Sequence, residues 1–277
     1  LKRDGHTHTE FCPHGSREDT ERFIIRAIEQ GFTDYSITEH PPLPREFTRG
    51  CTGAKRAIET AGMRTGDIEA YFKKMDDLKQ KYRSEIKIKI GFEVDYLPGF
   101  ESWTTDFLNE YGERIEDSVL SLHFLPGRGG WRSIDYSSED YEDGIVGFYG
   151  SFHKAQSVYL DYLQKSVEAD LGPFKPQRIG HITLCQKFRK HYINEETEFS
   201  SAGKKKISRL LAAIRDKGYE LDLNTAGLYK KYCGETYPTE EIIREALSMR
   251  IRFVYGSDAH RAEDVGRAYD CYQKNIK

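Results

Sequence analysis

The sequence predicts a one-domain α/β protein whose parallel strands close into a barrel. Short apolar or β-branched runs alternate with longer stretches of helical periodicity, the pattern of successive βα units. No break in composition divides that series. At 277 residues and 38% hydrophobic content, the chain can also build one large core of ordinary barrel size.

Taken in order, strands are expected near residues 3–9, 34–39, 86–94, 117–123, 178–182, 219–223 and 252–256. Apolar spacing of 3.6 residues predicts helices over 19–30, 67–83, 100–111, 154–169, 202–217 and 239–249, with a terminal helix after Ala262. Such a series favours a ring of buried strands inside a layer of helices. An open doubly wound sheet is the alternative, but neither G-x-G-x-x-G nor G-x-x-x-x-G-K-[ST] follows the first strand. Residues 41–66 and 125–152 are too long for plain connections, and excursions of this kind often wall a substrate site.

A net charge of −3 and a pI near 6.4 exclude a globally basic nucleic-acid binder and leave small anionic substrates open. Five scattered cysteines with no CxxC pair imply neither a disulfide framework nor a zinc knuckle. With no apolar run of membrane-spanning length and a polar N-terminus, a soluble, cytoplasmic protein is expected.

The histidines carry the functional signal. His6 and His8 alternate on the first strand, so both point to one face. His40, Glu93, His123 and His181 end the second to fifth strands, and Asp258 and His260 follow the seventh. In a parallel barrel those ends meet at one face, where active sites are built. Singly, each residue has a plain structural use: a hydrogen-bonded histidine, a salt-bridge partner, a helix N-cap. Jointly they do not, because of the 9 histidines only His153 and His191 fall outside the strand ends or the loop that holds His14. Imidazoles with hard carboxylate oxygens suit zinc, iron(II) or manganese. A single glutamate among them is a natural bridge between two cations, which together can share a hydroxide and clamp phosphate oxygens. Phosphoester and amide hydrolysis both remain open on this chemistry.

The H-x-H opening (His6, His8), the TEH ending at His40, the GxE ending at Glu93, the strand-end histidines and the closing SDAH (Ser257 to His260) together resemble the polymerase and histidinol phosphatase (PHP) family. The resemblance spans nearly the whole chain with its motifs in the family's order. It implies a distorted (β/α)7 barrel, as a single domain over residues 1–277, holding three divalent metal ions (zinc, iron or manganese). Carried over by position, it implies His6, His8, Glu93 and Asp258 for the first ion, Glu93, His123 and His181 for the second, and His14, His40 and His260 for the third. Single-domain length, the DGHTHTEFCPHG opening and the GHITLCQKF stretch are similar to the stand-alone histidinol-phosphate phosphatases of the family. This implies hydrolysis of L-histidinol phosphate in histidine biosynthesis, with Glu93 bridging and Asp258 managing a proton. The alternatives are a phosphodiesterase or exonuclease on single-stranded nucleic acid or nucleotides, an amide or lactone hydrolase, and a non-catalytic metal binder.

Two further expectations concern the substrate. Lys187 and Arg189, just past His181, and His153 are candidates to hold phosphate. The segment 131–149 interleaves Asp135, Glu139, Asp140, Glu142 and Asp143 with aromatic residues, a composition suited to a cationic imidazole substrate. A long polyanion would be repelled by such a rim, so nucleic acid is not an expected partner.

Overall fold

A computed structural model describes residues 1–277. Nine strands form in chain order: β1 Arg3–Asp4, β2 Asp34–Glu39, β3 Lys87–Asp95, β4 Val119–Ser121, β5 Phe124–Gly127, β6 Gly130–Ser133, β7 Arg178–Ile179, β8 Glu220–Asn224 and β9 Phe253–Gly256. Seven of them make one parallel sheet in the order β1-β2-β3-β4-β7-β8-β9. That order follows the chain, so each strand lies beside the next and the sheet curls rather than reversing. Its two edges meet: Gly5 N donates to Tyr255 O at 2.8 Å, His8 N to Ala259 O at 3.0 Å, and Thr7 pairs in parallel with Ala259. The result is a nearly closed, distorted seven-stranded barrel. The remaining pair, β5 and β6, is an antiparallel hairpin inside the 125–152 excursion.

The helices are α1 Thr20–Glu29, α2 Arg45–Arg49, α3 Lys55–Glu59, α4 Ile68–Lys81, α5 Glu101–Tyr111, α6 Ser138–Tyr141, α7 Gly147–Tyr149, α8 Phe152–Glu168, α9 Ser201–Asp216, α10 Glu240–Ser248 and α11 Tyr269–Asn275. Three of the long ones, α1, α8 and α9, start at a side-chain cap and turn an apolar stripe to the barrel. Asp19 accepts from Glu21 N at 2.9 Å to open α1, which buries Phe23, Ile24 and Ala27. Ser151 accepts from Lys154 N at 3.2 Å to open α8, whose inner face is Phe152, Tyr159, Leu160 and Leu163. At its far end the Lys175 ammonium donates to the carbonyls of Ser166, Val167 and Ala169 at 2.6–2.9 Å, satisfying orphan acceptors of the last turn. A single cluster of 56 buried hydrophobic residues runs from Phe23 to Val265, so the barrel and its helices share one core.

The expected strands are all present, but four are shorter than the sequence suggested. The first ends at Asp4 rather than Thr9, the fourth spans Val119–Ser121 rather than 117–123, the fifth stops at Ile179 rather than 182, and the last starts at Phe253. In the first, fourth and fifth, the lost residues include those bearing His6, His8, His123 and His181. The ladder stops short of the imidazoles there. Gly91 and Gly256 mark places of close approach. A Cβ on Gly91 would lie 1.5 Å from Asp117 O, and one on Gly256 would lie 2.2 Å from Asp222 Oδ1. Backbone and side chain can approach only where the residue is glycine. No helix is long and apolar enough to cross a membrane.

Candidate metal centre

The C-terminal strand ends converge on Glu93, which is buried at the end of β3. His6 Nε2 lies 3.1 Å, His8 Nε2 3.4 Å and His40 Nδ1 3.5 Å from Glu93 Oε2. On its other oxygen, Oε1, His181 Nε2 stands at 2.8 Å and His123 Nε2 at 3.5 Å. Each oxygen thus faces its own group of imidazoles, the geometry expected of a bridge between two cations. Asp258 enters from the last strand end: its Oδ1 is 3.2 Å from His8 Nε2 and 3.9 Å from His6 Nε2. Its backbone has φ 52°, a left-handed conformation that aspartate tolerates better than most residues and that recurs at functional sites.

The buried nitrogens test whether metal fits. His6 Nε2, His8 Nε2 and His40 Nδ1 have no hydrogen-bond partner, although all three surround one carboxylate oxygen. Buried polar atoms are rarely left so, and electropositive ions are what lone pairs converging on a carboxylate accept. On His6, His8 and His123 the Nδ1 nitrogens are already engaged. His6 Nδ1 meets Asp222 Oδ2 at 2.8 Å, His8 Nδ1 meets Glu39 Oε1 at 3.1 Å, and His123 Nδ1 meets Asp95 Oδ1 at 2.8 Å. A proton shared with the carboxylate at Nδ1 leaves the Nε2 lone pair directed at the centre, the usual outer support of a metal-binding histidine. Burial opposes charge on His6 and His8, yet the carboxylates draw protons onto both, and these rings stand in as the cations. Burial opposes charge on Glu93, yet His6, His123 and His40 hold its carboxyl well below the usual range. Burial likewise opposes charge on Asp258, and His6, His8 and His260 overcome it.

A second gathering lies beside the first. His14 Nε2 is 3.0 Å from His260 Nε2, and the His14 ring centroid is 4.9 Å from that of His40. Donor atoms of His8, Cys12, His40 and His260 all lie within 4.8 Å of one another. All nine residues that the sequence put forward as ligands are therefore brought together at one barrel end. Cys12, buried beneath them, belongs to the cluster although no sequence argument had placed it there.

Above the centre opens a cavity of about 760 Å³. Its floor is Glu93, His14, His40, His123, His181, Asp258 and His260, and its cationic wall is Lys187, Lys230 and Arg267 with Arg56 and Arg261. Lys187 stands where the sequence predicted a phosphate contact. Arg189 and His153 do not. The Arg189 guanidinium is drawn away from the cavity by Glu198 and by Glu235, the latter at 2.5 Å, while His153 Nε2 bonds the Glu198 carbonyl at 2.8 Å. Of the acidic segment 131–149, only Ser133, Asp135 and Tyr136 reach the cavity. Asp140 and Asp143 instead bind the buried Arg132, at 2.9 and 3.1 Å, and Tyr141 points into the core.

Sequence reasoning missed Lys230, Arg267 and the outer carboxylates Glu39, Asp95 and Asp222. A signal for Asp222 existed. A carboxylate between Leu221 and Leu223 on a strand buried on both faces needs a partner, and alternation points it inward at His6. Lys230 and Arg267 had none, since they come from loops after β8 and β9.

Residues 4–226 match the PHP domain and residues 239–276 the PHP-associated region. The histidinol-phosphatase of Bacillus subtilis (strain 168) is 38% identical over 271 residues, covering 98% of each chain. A crystal structure described as a candidate histidinol phosphatase of Listeria monocytogenes superposes with a TM-score of 0.96 at 55% identity, covering 98% of this chain and 100% of that one. Histidinol phosphate phosphatase of Lactococcus lactis, crystallised with zinc, L-histidinol and phosphate, has a TM-score of 0.71 at 18% identity, covering 99% and 93%, a likeness of fold alone. The fold, the family match and the full-length identity together make this chain a member of the PHP family.

Proposed function

We propose that this chain is a metal-dependent phosphatase that hydrolyses L-histidinol phosphate to L-histidinol and inorganic phosphate. The reading takes its substrate from the full-length Bacillus subtilis relative and serves histidine biosynthesis. The observation that carries the chemistry is the set of unpartnered, buried imidazole nitrogens around Glu93 on the floor of a cation-walled cavity. Three divalent ions fit the donors: His6, His8, Glu93 and Asp258 for one, Glu93, His123 and His181 for another, and His14, His40 and His260 for the third. Zinc, iron and manganese all accept this set, and ions held there supply Lewis acidity and lower the pKa of water toward neutrality.

The chain's own groups do the rest. Asp222, Glu39 and Asp95 fix the ring orientation of three ligands, so that the site is organised before substrate arrives. Asp258 accepts from Asn224 Nδ2 on its Oδ2 at 3.1 Å. At the floor of the cavity it is the carboxylate we assign to take a proton and return it to the leaving alkoxide. Lys187, Lys230 and Arg267 meet the phosphate dianion. Burial, then Lys187 and Arg267 nearby, hold the Lys230 ammonium below its ordinary range. Like charges assembled at a cavity wall are relieved by an anion, which makes that wall the phosphate side.

The test compares kcat/KM for L-histidinol phosphate, an aryl phosphate and a short single-stranded oligonucleotide, with metal content measured on the same sample. Histidinol phosphate is expected to lead, with close to three ions per chain. A faster oligonucleotide would move the assignment to a nuclease, and at most one ion per chain would end the trinuclear reading.

A further inference from the structure

Lys187 and Asp135 form an ion pair in the cavity that has no role in the metal centre. Lys187 Nζ donates to Asp135 Oδ2 at 3.0 Å, and Ser133 Oγ lies 3.2 Å from Asp135 Oδ1. Both partners line the cavity, with side chains 16% and 29% exposed. Every other carboxylate there is committed. Glu93 and Asp258 face the imidazoles, Asp95 holds His123 Nδ1, and Asp264 pairs with Arg267 at 3.2 Å. Asp135 alone is held only by a lysine on a flexible stem and a hydroxyl. Burial opposes its charge, and the Lys187 ammonium beside it compensates and holds its carboxyl below the usual range. Beside it Tyr136 offers an aromatic face, 44% exposed.

We propose that Asp135 and Lys187 form an exchangeable pair that reads the two charged ends of the substrate. This rests on the histidinol phosphate reading. Histidinol phosphate carries a phosphate dianion and, two carbons from the ester oxygen, an ammonium. On binding, Lys187 turns to the phosphate and Asp135 takes the ammonium, so one ion pair is replaced by two and no charge is left bare. A phosphate ester without the amine offers a partner to Lys187 only. It strands Asp135 as an uncompensated anion close to the phosphate, so the same carboxylate attracts the correct ester and repels the wrong one. No bond is made or broken in the exchange. Asp135 is thus a specificity residue, and Lys187 a phosphate contact that the pair holds ready.

The experiment uses the metal-loaded full chain with L-histidinol phosphate and its amine-free analogue, 3-(imidazol-4-yl)propyl phosphate. Wild-type protein is expected to favour the amine-bearing ester by about ten-fold or more in kcat/KM. Asp135→Asn should bring that ratio to within about three-fold, by slowing the amine-bearing ester and sparing or speeding the analogue. Asp135→Ser should give the same ratio, so the result does not depend on how one variant packs. Lys187→Met should slow both esters by about ten-fold and preserve the ratio. If Asp135→Asn slows both esters equally, Asp135 only orients Lys187 or His123 and the proposal is overturned. An unchanged ratio overturns it as well. Failure of the underlying reading would appear elsewhere, in wild-type protein that prefers an oligonucleotide or an aryl phosphate to histidinol phosphate.

Discussion

The two ends of the barrel carry buried charge in opposite states. At the N-terminal end Asp117 receives Arg178 on both oxygens at 3.0 Å, Ser36 Oγ at 2.5 Å, and Arg3. At the C-terminal end Glu93 faces five imidazoles, and four of their nitrogens have no hydrogen-bond partner. Taking a charge out of water costs several kcal/mol unless a partner compensates. One end supplies its partners from the chain, and the other is built to take them from outside. Buried charge alone therefore does not separate a structural site from a functional one. What differs is that the Asp117 carboxylate is met by guanidinium groups of the chain, although Arg3 Nε and Arg178 Nε stay unpartnered, whereas the Glu93 carboxylate faces only imidazoles and one hydroxyl.

Substitution at each end should break different properties. Glu93→Gln keeps shape and removes the bridging charge, so kcat/KM should fall by at least about 10³-fold, ~4 kcal/mol, and metal content should drop with it. Elemental analysis alongside steady-state kinetics checks this. Asp117→Ala should do the reverse. It leaves the buried Arg178 without its carboxylate and should cost about 3 kcal/mol of stability in urea unfolding, with metal content per folded chain unchanged. Loss of metals at position 117, or stability loss without metal loss at position 93, would dissolve the distinction.

Acid sharpens the same contrast. Despite burial, Arg178 and Arg3 lower the Asp117 carboxyl from 3.8 to about 2. A depressed folded-state pKa gives stability that is fully present above the unfolded value and is lost as pH falls through the folded one. Asp117 should thus contribute about 2 kcal/mol above pH ~4, declining toward pH ~2. Between those limits Asp117→Asn should unfold with a shallower pH dependence than wild type. An identical slope would remove Asp117 from the acid response.

Outer support comes next in size. Asp222→Ala frees His6 Nδ1 and should cost about 10- to 100-fold in metal affinity or activity. Titration with a chelator distinguishes this from a folding defect, since Asp222 lies off the Asp117 network. An unaltered metal affinity would mean that packing alone orients His6.

How much of this was legible depended on how far each residue's environment follows from its neighbours in sequence. The strand at residues 34–39 was read to the residue, because all six positions are buried and Gly31 and Pro41 bracket it. The convergence of the nine proposed ligand positions was legible because a strand end, or the loop just after one as for His14, is a local feature and the barrel brings all such ends together. Strand lengths at that face were overestimated, since alternation continues through His6 and His8 while the ladder does not. Side chains from loops were read least well. Asp140 and Asp143 looked like a substrate rim, but Arg132, two or three turns of chain away, claims them. Nothing in the local sequence announces that pairing.

Arg189 is the sharpest example and gives the smallest expected effect. Its position beyond His181 suggested phosphate binding, whereas in the fold its guanidinium bridges Glu198 and Glu235 and ties the loop before α9 to the loop before α10. The guanidinium is held by two carboxylates and turned away from the cavity, and releasing it would strand both partners near each other. Burial opposes its charge, but Glu235 and Glu198 raise its already high pKa, so it stays paired throughout the working pH range. Arg189→Ala should therefore change kcat/KM for histidinol phosphate less than about two-fold, under ~0.4 kcal/mol, while lowering stability by about 1 kcal/mol. Lys187→Met, on the cavity wall itself, should show the opposite balance. A ten-fold kinetic loss at Arg189 with stability unchanged would mean that the guanidinium leaves its glutamates in the substrate complex, and would return it to the phosphate site.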